Sequence, residues 1–468
     1  MNLLWILFTA ALIFFMQTGF AMLEAGGMAR KVLAESIIIK NGIIVAMGCL
    51  TWYFLGYGLA YGQGGATSGV VGGSYFVLTG NPAHYDWFFR WGFASTAATI
   101  VSGAMSERTL LRSHVYWGML MVSVVHPFVA HWIWSKDGWM SPHLSEDKLF
   151  LANGVLDFAG SGVVHLLGGI AGLIGAIVSG PRYGRFEDLY VRNKVFVPHD
   201  VGTMALGTCL LQFSWFGYNC GSTLRLNHSQ STVASLIVVN TTLAASTGSL
   251  VALLLVKLRE GIWDLPVFLN GLLGGLVSIT AGCAFVEPWA AFVIGSVSGI
   301  IYVITIKVMR HFKIDDVLDV VAVHASNGLW GLIAVGLFAS KYQIYLVFNR
   351  YTYSGLFMGG GGMQLAAQII GALVITAWGL FWSILFFYLL NYFGHLRIDK
   401  KNELRIFEET ITNFKVKTTL RQMAHDYRLD NYIRNVEDDE PENQHQPEYP
   451  IRKQTAITST SSSAVSKI

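Results

Sequence analysis

The segment DFAGSGVVH at residues 157–165 lies inside a long apolar run, and DVLDVVAVH at residues 316–324 repeats its outline. In both copies an aspartate stands eight residues before a histidine. The match continues downstream, where Gly, Gly, Leu and Ile occupy the fourth, seventh, eighth and ninth places after each histidine. A histidine inside a membrane span is energetically costly, so two in matching repeats indicate a polar path through a bilayer. The pattern predicts a transporter or a channel.

The composition also indicates a membrane protein. Of the 468 residues, 53% are hydrophobic, 13% are charged and 50 are glycine. The charge is unevenly distributed, because the 75 residues from Gly394 onward hold 24 of the 61 charged side chains. The four cysteines all lie in apolar runs, without the spacing of a disulfide framework or a zinc site. We therefore expect no enzyme, no cofactor, no metal and no nucleic-acid partner.

A bilayer core about 30 Å thick needs about 20 helical residues to cross it. With that window the chain divides into eleven predicted spans. Their approximate bounds are 3–25, 36–61, 88–107, 115–135, 154–180, 200–221, 231–256, 265–284, 288–306, 317–340 and 364–393. The first could be a signal peptide, but no basic residue precedes it, and its apolar stretch is long for one. The predicted fold class is an all-α polytopic membrane protein with eleven transmembrane helices.

The basic residues in the loops predict the orientation of these spans. Lys and Arg accumulate on the cytoplasmic side of a membrane. One set of alternate loops carries thirteen, namely Arg30, Lys31, Arg108, Arg112, Arg182, Arg185, Arg192, Lys194, Lys257, Arg259, Lys307, Arg310 and Lys313. The other set carries five, namely Lys136, Lys148, Arg225, Lys341 and Arg350. This asymmetry places the N-terminus outside and the C-terminal tail inside.

The two Asp/His segments fall on the fifth and the tenth spans, so two halves of five spans each must have opposite orientation. Such an inverted repeat forms a pathway near the bilayer midplane, between the halves. The eleventh span lies outside this five-plus-five repeat. We predict a transmembrane domain at residues 1–393 and a cytoplasmic tail at 394–468. The tail is expected to be partly helical up to residue 435 and disordered beyond it.

Seven motifs, two of which contain the Asp/His segments, are typical of a known family. They are FFMQTGFAMLEAG at 14–26, TAATIVSGAMSER at 96–108, HPFVAHWIW at 126–134, DFAGSGVVH at 157–165, GPRYGRF at 180–186, SWFGYNCGS at 214–222 and DDVLDVVAVH at 315–324. Over residues 1–397 the chain resembles the ammonium transporter family, which comprises the Amt and Mep proteins with the Rh proteins as distant relatives. The resemblance implies homotrimers of eleven-span subunits in the plasma membrane, each subunit with its own pore for ammonium, ammonia or methylammonium.

The resemblance also implies roles for individual residues. Trp134, Phe93 and Ser222 match an outer vestibule that binds ammonium. Aromatic rings attract a cation with about 0.5–2 kcal/mol, and a serine oxygen can accept an N–H. Phe93 and Tyr218 match a gate of two stacked rings. Tyr218 departs from the family, which usually has phenylalanine there, so the gate gains a hydroxyl. Without the motifs, Trp134 and Phe93 would be interpreted as interfacial anchors.

His165 and His324 match the family's pair of pore histidines. An isolated ion entering an apolar medium loses tens of kcal/mol of solvation on a Born estimate, whereas a neutral polar group loses only a few, so ammonia should cross as the neutral molecule. Imidazoles bridged to each other can relay the proton that is left behind. Two alternatives stay open, which are a pair of core histidines that satisfy each other and a membrane haem protein with bis-histidine ligation.

Three further predictions concern single residues and the tail. Asp157 and Asp316 are expected to cap helix starts and to contribute to the field in the pore, without direct contact with substrate. Asn227 begins a possible glycosylation sequon in a loop predicted to lie outside. After residue 398 the tail lacks the Gly-Leu-Asp and His-Gly-Glu elements that couple subunits in the family. A sensor on the same scaffold, signalling ammonium binding through its long tail, is the alternative to a transporter.

Overall fold

The computed structural model describes residues 2–63, 68–80, 83–187, 195–350, 353–409 and 411–412. In these residues the regular structure is helical, and the β contact is an isolated bridge between Thr109 and Arg397. The described residues up to 409 belong to one compact unit. The predicted disordered end of the tail lies outside the described residues.

Eleven long helical segments in the described residues correspond in order to the eleven predicted spans. They are Asn2–Gly27, Ala34–Tyr61, His84–Met105, Leu111–Trp134, Ser161–Ser179, Val201–Gly221, His228–Glu260, Leu265–Thr280, Pro288–His311, Val321–Phe338 and Met363–Tyr392. Eight of them are long and apolar enough to cross a membrane. The other three are His84–Met105, Val201–Gly221 and Leu265–Thr280, and the last has only 16 residues. The count of eleven spans therefore stays a prediction.

Both pore-histidine segments begin with a π-helical turn that the sequence does not predict. The turns are Ser161–Leu166, which contains His165, and Val321–Ser326, which contains His324. Further π turns interrupt two other long helices at Trp52–Gly56 and Met121–Val125. A π turn inserts one extra residue into a helix, and such turns are frequent at functional sites. Hydrophobic periodicity gives no signal for a single inserted residue.

Two glycines at equivalent places of the repeat let the histidine segments approach each other closely. A Cβ added to Gly169 would lie 2.7 Å from the Cα of Ala325, the residue after His324. A Cβ added to Gly328 would lie 2.7 Å from the backbone nitrogen of Leu166, the residue after His165. Each glycine stands four places after its own histidine, so the packing is reciprocal. The two copies of the sequence repeat therefore make equivalent contacts, each glycine packing against the residue that follows the other copy's histidine.

The loops with the predicted cytoplasmic arginines meet in a buried ionic cluster. The Asp315 carboxylate accepts from Arg182 Nε at 2.7 Å and from Arg185 Nε at 3.3 Å. Arg182 also donates to Glu107 at 2.7 Å, and Arg108 lies 4.0 Å from Asp315. Burial alone would raise the pKa of Asp315, but the charges of Arg182 and Arg108 outweigh it and hold that pKa below its ordinary value. The cluster ties three loops together at one end of the helices.

The first part of the tail packs against this same end. Arg397 forms an ion pair with Glu403 at 2.8 Å, and Glu403 accepts from the backbone N–H of Tyr183 at 2.8 Å. Residues 400–409 are helical, and the ring of Phe407 contacts that of Tyr183 with 5.5 Å between centroids. Residues 395–409 therefore belong structurally with the helical unit.

The reciprocal packing generates a stability prediction. Replacing either Gly169 or Gly328 by alanine should destabilise the protein by about 1–3 kcal/mol, because backbone atoms of the facing repeat must move. The control is Gly42→Ala, since a Cβ there has no atom within 4 Å. Thermal unfolding of purified protein in detergent should show a lowered midpoint for the first two variants only. Equal midpoints for all three would contradict the reciprocal packing.

Candidate functional site

The residues assigned to the vestibule surround one cavity. It has a volume of about 430 Å³, and Phe93, Trp134 and Ser222 all contribute to its wall together with Asp157. Phe93 comes from the helix His84–Met105, Trp134 ends the helix Leu111–Trp134, and Ser222 follows the helix Val201–Gly221. Three segments that are distant in sequence therefore supply the two aromatic rings and the hydroxyl.

Hydrogen bonds fix the orientation of these side chains. The indole nitrogen of Trp134 donates to the carbonyl oxygen of Asp157 at 2.7 Å. The ring of Phe93 meets that of Trp134 edge to face, with 5.4 Å between centroids and 80° between planes. The hydroxyl of Ser222 donates to the carbonyl of Tyr218 at 2.9 Å, so its lone pairs remain available to accept an N–H. Both features suit a cation that carries N–H groups.

Tyr218 separates the vestibule from the histidines. Its ring lies 4.2 Å from that of Phe93 and 5.9 Å from that of His165, measured between centroids. The side chain is completely buried, and its hydroxyl has no hydrogen-bond partner among the described residues. A buried hydroxyl without a partner is energetically unfavourable, so this oxygen is a polar group that can bind a small polar molecule between the cavity and the histidines.

The two histidines contact each other directly. Their Nδ1 atoms are 3.2 Å apart, and their rings are nearly parallel, with 5.2 Å between centroids. His165 also stacks on Trp215 at 5.1 Å. Because an Nδ1 to Nδ1 hydrogen bond needs one donor and one acceptor, the rings must be opposite tautomers when both are neutral. The Nε2 of His165 is buried and has no partner among the described residues.

A second and smaller cavity lies beyond His324. It has a volume of about 20 Å³, enough for about one water molecule, and Phe20, Glu24, Thr99 and Asn270 line it together with His324. Its wall therefore contains a carboxylate, a hydroxyl and an amide. The vestibule, the aromatic pair, the two histidines and this cavity follow one another as a line of polar and aromatic groups.

The two aspartates of the repeat secure the start of each histidine segment. The carboxylate of Asp157 accepts three backbone N–H groups from residues 160–163, each at 2.9 Å. The carboxylate of Asp316 accepts the N–H of Val321 at 2.7 Å, and its other oxygen is buried without a partner among the described residues. These bonds satisfy donors that the first helical turn leaves free. The capping is more complete in the first copy than in the second.

Sequence reasoning missed two residues of the site. Trp215 stands three residues before Tyr218, and Ser222 stands four residues after it, which places all three on one helix face. That spacing is a signal that could have identified Trp215. His126 is buried with its ring 6.2 Å from Trp134, and its Nδ1 lies 3.3 Å from the carbonyl oxygen of Val163. No pattern in the sequence distinguishes His126 from a core histidine.

Asn227, the possible glycosylation site, caps the helix His228–Glu260. Its side-chain oxygen accepts from the backbone N–H of Gln230 at 3.0 Å and from the hydroxyl of Ser229 at 3.1 Å. The side chain is exposed. Glycosylation at Asn227 stays a prediction.

Comparisons with known proteins agree on one family. The model of the Ammonium Transporter Family matches residues 4–411. Ammonium transporter 3 of Dictyostelium discoideum is 38% identical over 406 residues, which are 86% of this chain and 91% of that protein. Ammonium transporter 1 member 3 of Solanum lycopersicum is 39% identical over 420 residues, which cover 86% of this chain and 90% of that protein.

Solved structures give the same result. A protein titled "Sensor Amt Protein" has a TM-score of 0.76 at 30% identity, with 86% of this chain and 96% of that chain covered. Mep2 of Saccharomyces cerevisiae has a TM-score of 0.75 at 26% identity, and the match covers 86% of this chain and 88% of that chain.

The unpartnered hydroxyl of Tyr218 generates a prediction. Tyr218→Phe should leave the free energy of unfolding unchanged or raise it by about 1 kcal/mol, because it removes a buried polar group that has no partner in the protein. The control is Tyr302→Phe, whose buried hydroxyl donates to Asp319 at 2.8 Å. Losing that bond to a charged acceptor should lower stability by about 1.5–3 kcal/mol. A similar loss for Tyr218→Phe in thermal unfolding would show that its hydroxyl is bonded after all.

Proposed function

The chain belongs to the Ammonium Transporter Family, and we propose that it transports ammonium nitrogen across the plasma membrane. In this proposal NH₄⁺ binds in the vestibule and loses a proton, and NH₃ then passes the two histidines. The observation that carries the proposal is the direct contact between the Nδ1 atoms of His165 and His324, buried behind an aromatic vestibule.

Recognition of the cation rests on the vestibule wall. The rings of Trp134 and Phe93 offer their faces and edges to one cavity, and Ser222 offers an acceptor oxygen. A desolvated cation gains up to about 2 kcal/mol from an aromatic face, whereas a neutral molecule gains little. The charged form is therefore favoured in the vestibule. Asp157, whose carboxylate is bound to three backbone N–H groups, contributes through its field and not through direct contact.

The gate formed by Phe93 and Tyr218 favours the neutral form. Both side chains are buried, and their ring centroids are only 4.2 Å apart, so they must move aside before anything passes. A charged species that leaves the vestibule loses water and gains no counter-ion, whereas ammonia loses only a few hydrogen bonds. Deprotonation before the histidine pair is thus the less costly route, and the unpartnered Nε2 of His165 takes the proton when that ring carries its own proton on Nδ1. The hydroxyl of Tyr218 gives ammonia one polar contact on the way.

The histidine pair supplies a route for the proton. The ring that donates its Nδ1–H has a free lone pair on Nε2, where it can accept a proton. Its Nδ1 proton then moves across the 3.2 Å contact to the Nδ1 of the second ring, whose Nε2–H is released on the far side. Each transfer breaks one N–H bond and forms a new bond to hydrogen on the acceptor, and the pair ends with its tautomers exchanged. The carboxylate of Glu24, in the wall of the small cavity beside His324, can accept the released proton as an O–H.

We propose further that the N-terminus lies outside, that the eleven helices all span the membrane, and that the chain forms a homotrimer. The reciprocal contacts of Gly169 and Gly328 support the inverted five-plus-five repeat. The buried cluster around Asp315 supports the grouping of the basic loops on one side, because it brings Arg108, Arg182 and Arg185 to the same end of the helices. The assignment of that side to the cytoplasm rests on the excess of basic residues in its loops. The trimer rests on family resemblance.

Two other functions are weighed against transport. A sensor is favoured by the similarity to a protein titled "Sensor Amt Protein", and it predicts saturable ammonium binding without flux. A bis-histidine haem needs an iron and its flat macrocycle between two imidazole nitrogens. The Nδ1 atoms, at 3.2 Å, contact each other directly and leave no such space. We therefore do not propose a haem.

Replacing Trp134 with leucine tests the vestibule. The variant keeps an apolar side chain but loses the largest ring facing the cation, so the apparent affinity for ammonium or methylammonium should weaken about tenfold, equivalent to ~1.4 kcal/mol. The control is Trp132→Leu, which removes another largely buried indole with one bond to a carbonyl, that of Val70 at 2.8 Å. Transport in proteoliposomes should show unchanged affinity for the control. Equal affinities for wild type and Trp134→Leu would exclude a role for Trp134 in recognition.

Removing either histidine tests the relay. His165→Ala and His324→Ala should each abolish proton-coupled current, because a chain of two relays fails when one is lost. Ammonia flux, followed as the pH change inside the same proteoliposomes, should persist, since neutral ammonia needs only an open apolar channel. The control is His114→Ala, which removes a buried histidine that is bonded to Thr109 and does not belong to the His165/His324 pair.

The double variant completes this test. If the histidines act as one device, His165→Ala/His324→Ala should lose no more current than either single variant. Wild-type current in a single variant, or losses that simply add, would mean that the pair is a packing feature.

A further inference from the structure

The vestibule proposed to receive a cation is lined by arginines. Arg90, Arg225 and Arg350 all contribute to its wall, whereas Asp157 is the one acidic residue of that wall among the described residues. A cavity lined by charges of one sign focuses their field on whatever enters it. Such a lining opposes the entry of ammonium.

The charge of Arg90 is compensated. Its Nε lies 3.2 Å from the carboxylate of Asp86, with which it forms an i,i+4 ion pair. Its guanidinium also lies over the ring of Tyr61 at 4.6 Å. Arg90 and Asp86 together add little net charge to the vestibule.

Arg225 and Arg350 keep their charge. Arg225 is exposed and forms no ion pair among the described residues. Arg350 donates to the carbonyl oxygens of Pro142 at 2.5 Å and Leu144 at 3.2 Å, which are neutral acceptors. Its Nε is buried without a partner among the described residues. Glu146 acts on Arg350 only at a distance beyond that of an ion pair.

Asp157 does not balance these two charges. Its carboxylate is buried and accepts three backbone N–H groups, so it is committed to the start of the histidine segment. Counting Arg225, Arg350 and Asp157, the wall keeps one net positive charge. The two arginines are also the groups that mobile ions reach most easily, because Arg225 is exposed and Arg350 is half-buried.

We propose that Arg225 and Arg350 set the apparent affinity of the vestibule by electrostatic repulsion of ammonium, so that binding becomes tighter as ionic strength rises. This inference rests on the proposed function. Salt ordinarily weakens the binding of a cation to a protein, so the expected sign is the opposite of the usual one. The Debye length falls from about 30 Å at 0.01 M salt to less than about 10 Å above 0.1 M, which spans the size of such a cavity.

The test measures half-saturation for ammonium-driven current in vesicles of zwitterionic phosphatidylcholine, which add no surface charge of their own. Sodium chloride is varied from about 10 mM to about 300 mM, and sucrose keeps the osmolarity constant. In wild type the half-saturating concentration should fall about two- to fourfold as salt is added. In Arg225→Gln/Arg350→Gln it should already be low at low salt and should not fall further.

Two controls separate charge from structure. Arg350→Lys loses the bidentate geometry but keeps the charge, so it should retain the wild-type salt dependence even if it is less stable. Lys148→Gln removes an exposed charge outside the vestibule wall and should behave as wild type. A half-saturating concentration that rises or stays constant with salt in wild type would overturn the proposal. So would a double variant with the wild-type response.

Failure of the proposed function is distinguishable from failure of this inference. If wild type gives neither an ammonium-driven current nor an ammonia-driven pH change inside the vesicles, the transport proposal is wrong. The salt dependence is then measured by methylammonium binding to purified protein, followed by tryptophan fluorescence, with the same variants and the same expected signs. Binding that tightens with salt in wild type but not in Arg225→Gln/Arg350→Gln supports the inference, and any other pattern overturns it.

Discussion

The hydrogen bond between the Nδ1 atoms of His165 and His324 is the contact on which the rest of the structure depends. An imidazole buried among apolar helices needs a partner, and each ring serves as the partner of the other. This contact requires two helices from different halves of the chain to approach within a few ångströms. Gly169 and Gly328 permit that approach, and Asp157 and Asp316 hold the backbone at the start of each segment. The repeated Asp, His and Gly positions in the sequence are therefore the residues that the contact between His165 and His324 needs.

The sequence predicted the helices well because their signal is strong and local. Long apolar runs located the eight apolar spans, with the start of the fifth predicted at 154 and found at Ser161. The family motifs identified Trp134, Phe93 and Ser222, which the structure places around one cavity. The sequence failed where geometry is set by tertiary contacts. The π turns at Ser161–Leu166 and Val321–Ser326 carry no periodic signal, and the short helix Lys341–Phe348 was not predicted.

Charge was the hardest property to predict, because its effect depends on which residues meet in space. In the sequence, an arginine in a loop that is paired with a carboxylate looks the same as one that is unpaired. In the structure Arg182 and Arg185 form ion pairs with Asp315. Arg225 and Arg350 instead line a cavity in which, among the described residues, Asp157 is the one acidic side chain, and its carboxylate is already bound to backbone N–H groups. Similarly, the sequence identified Tyr218 as a departure from the family but could not show that its hydroxyl lacks a partner. Both facts concern unsatisfied groups, and these become visible only when the surroundings of a side chain are known.

We infer that the two histidines share one proton through their Nδ1 atoms. Solid-state NMR of the ¹⁵N-histidine-labelled protein in bilayers tests it directly, because a hydrogen bond between two nitrogens gives a measurable coupling across it. We predict one protonated and one unprotonated Nδ1, coupled to each other, with the coupling lost in His324→Ala. Two uncoupled rings that both carry their proton on Nε2 would show that His165 and His324 do not share a proton.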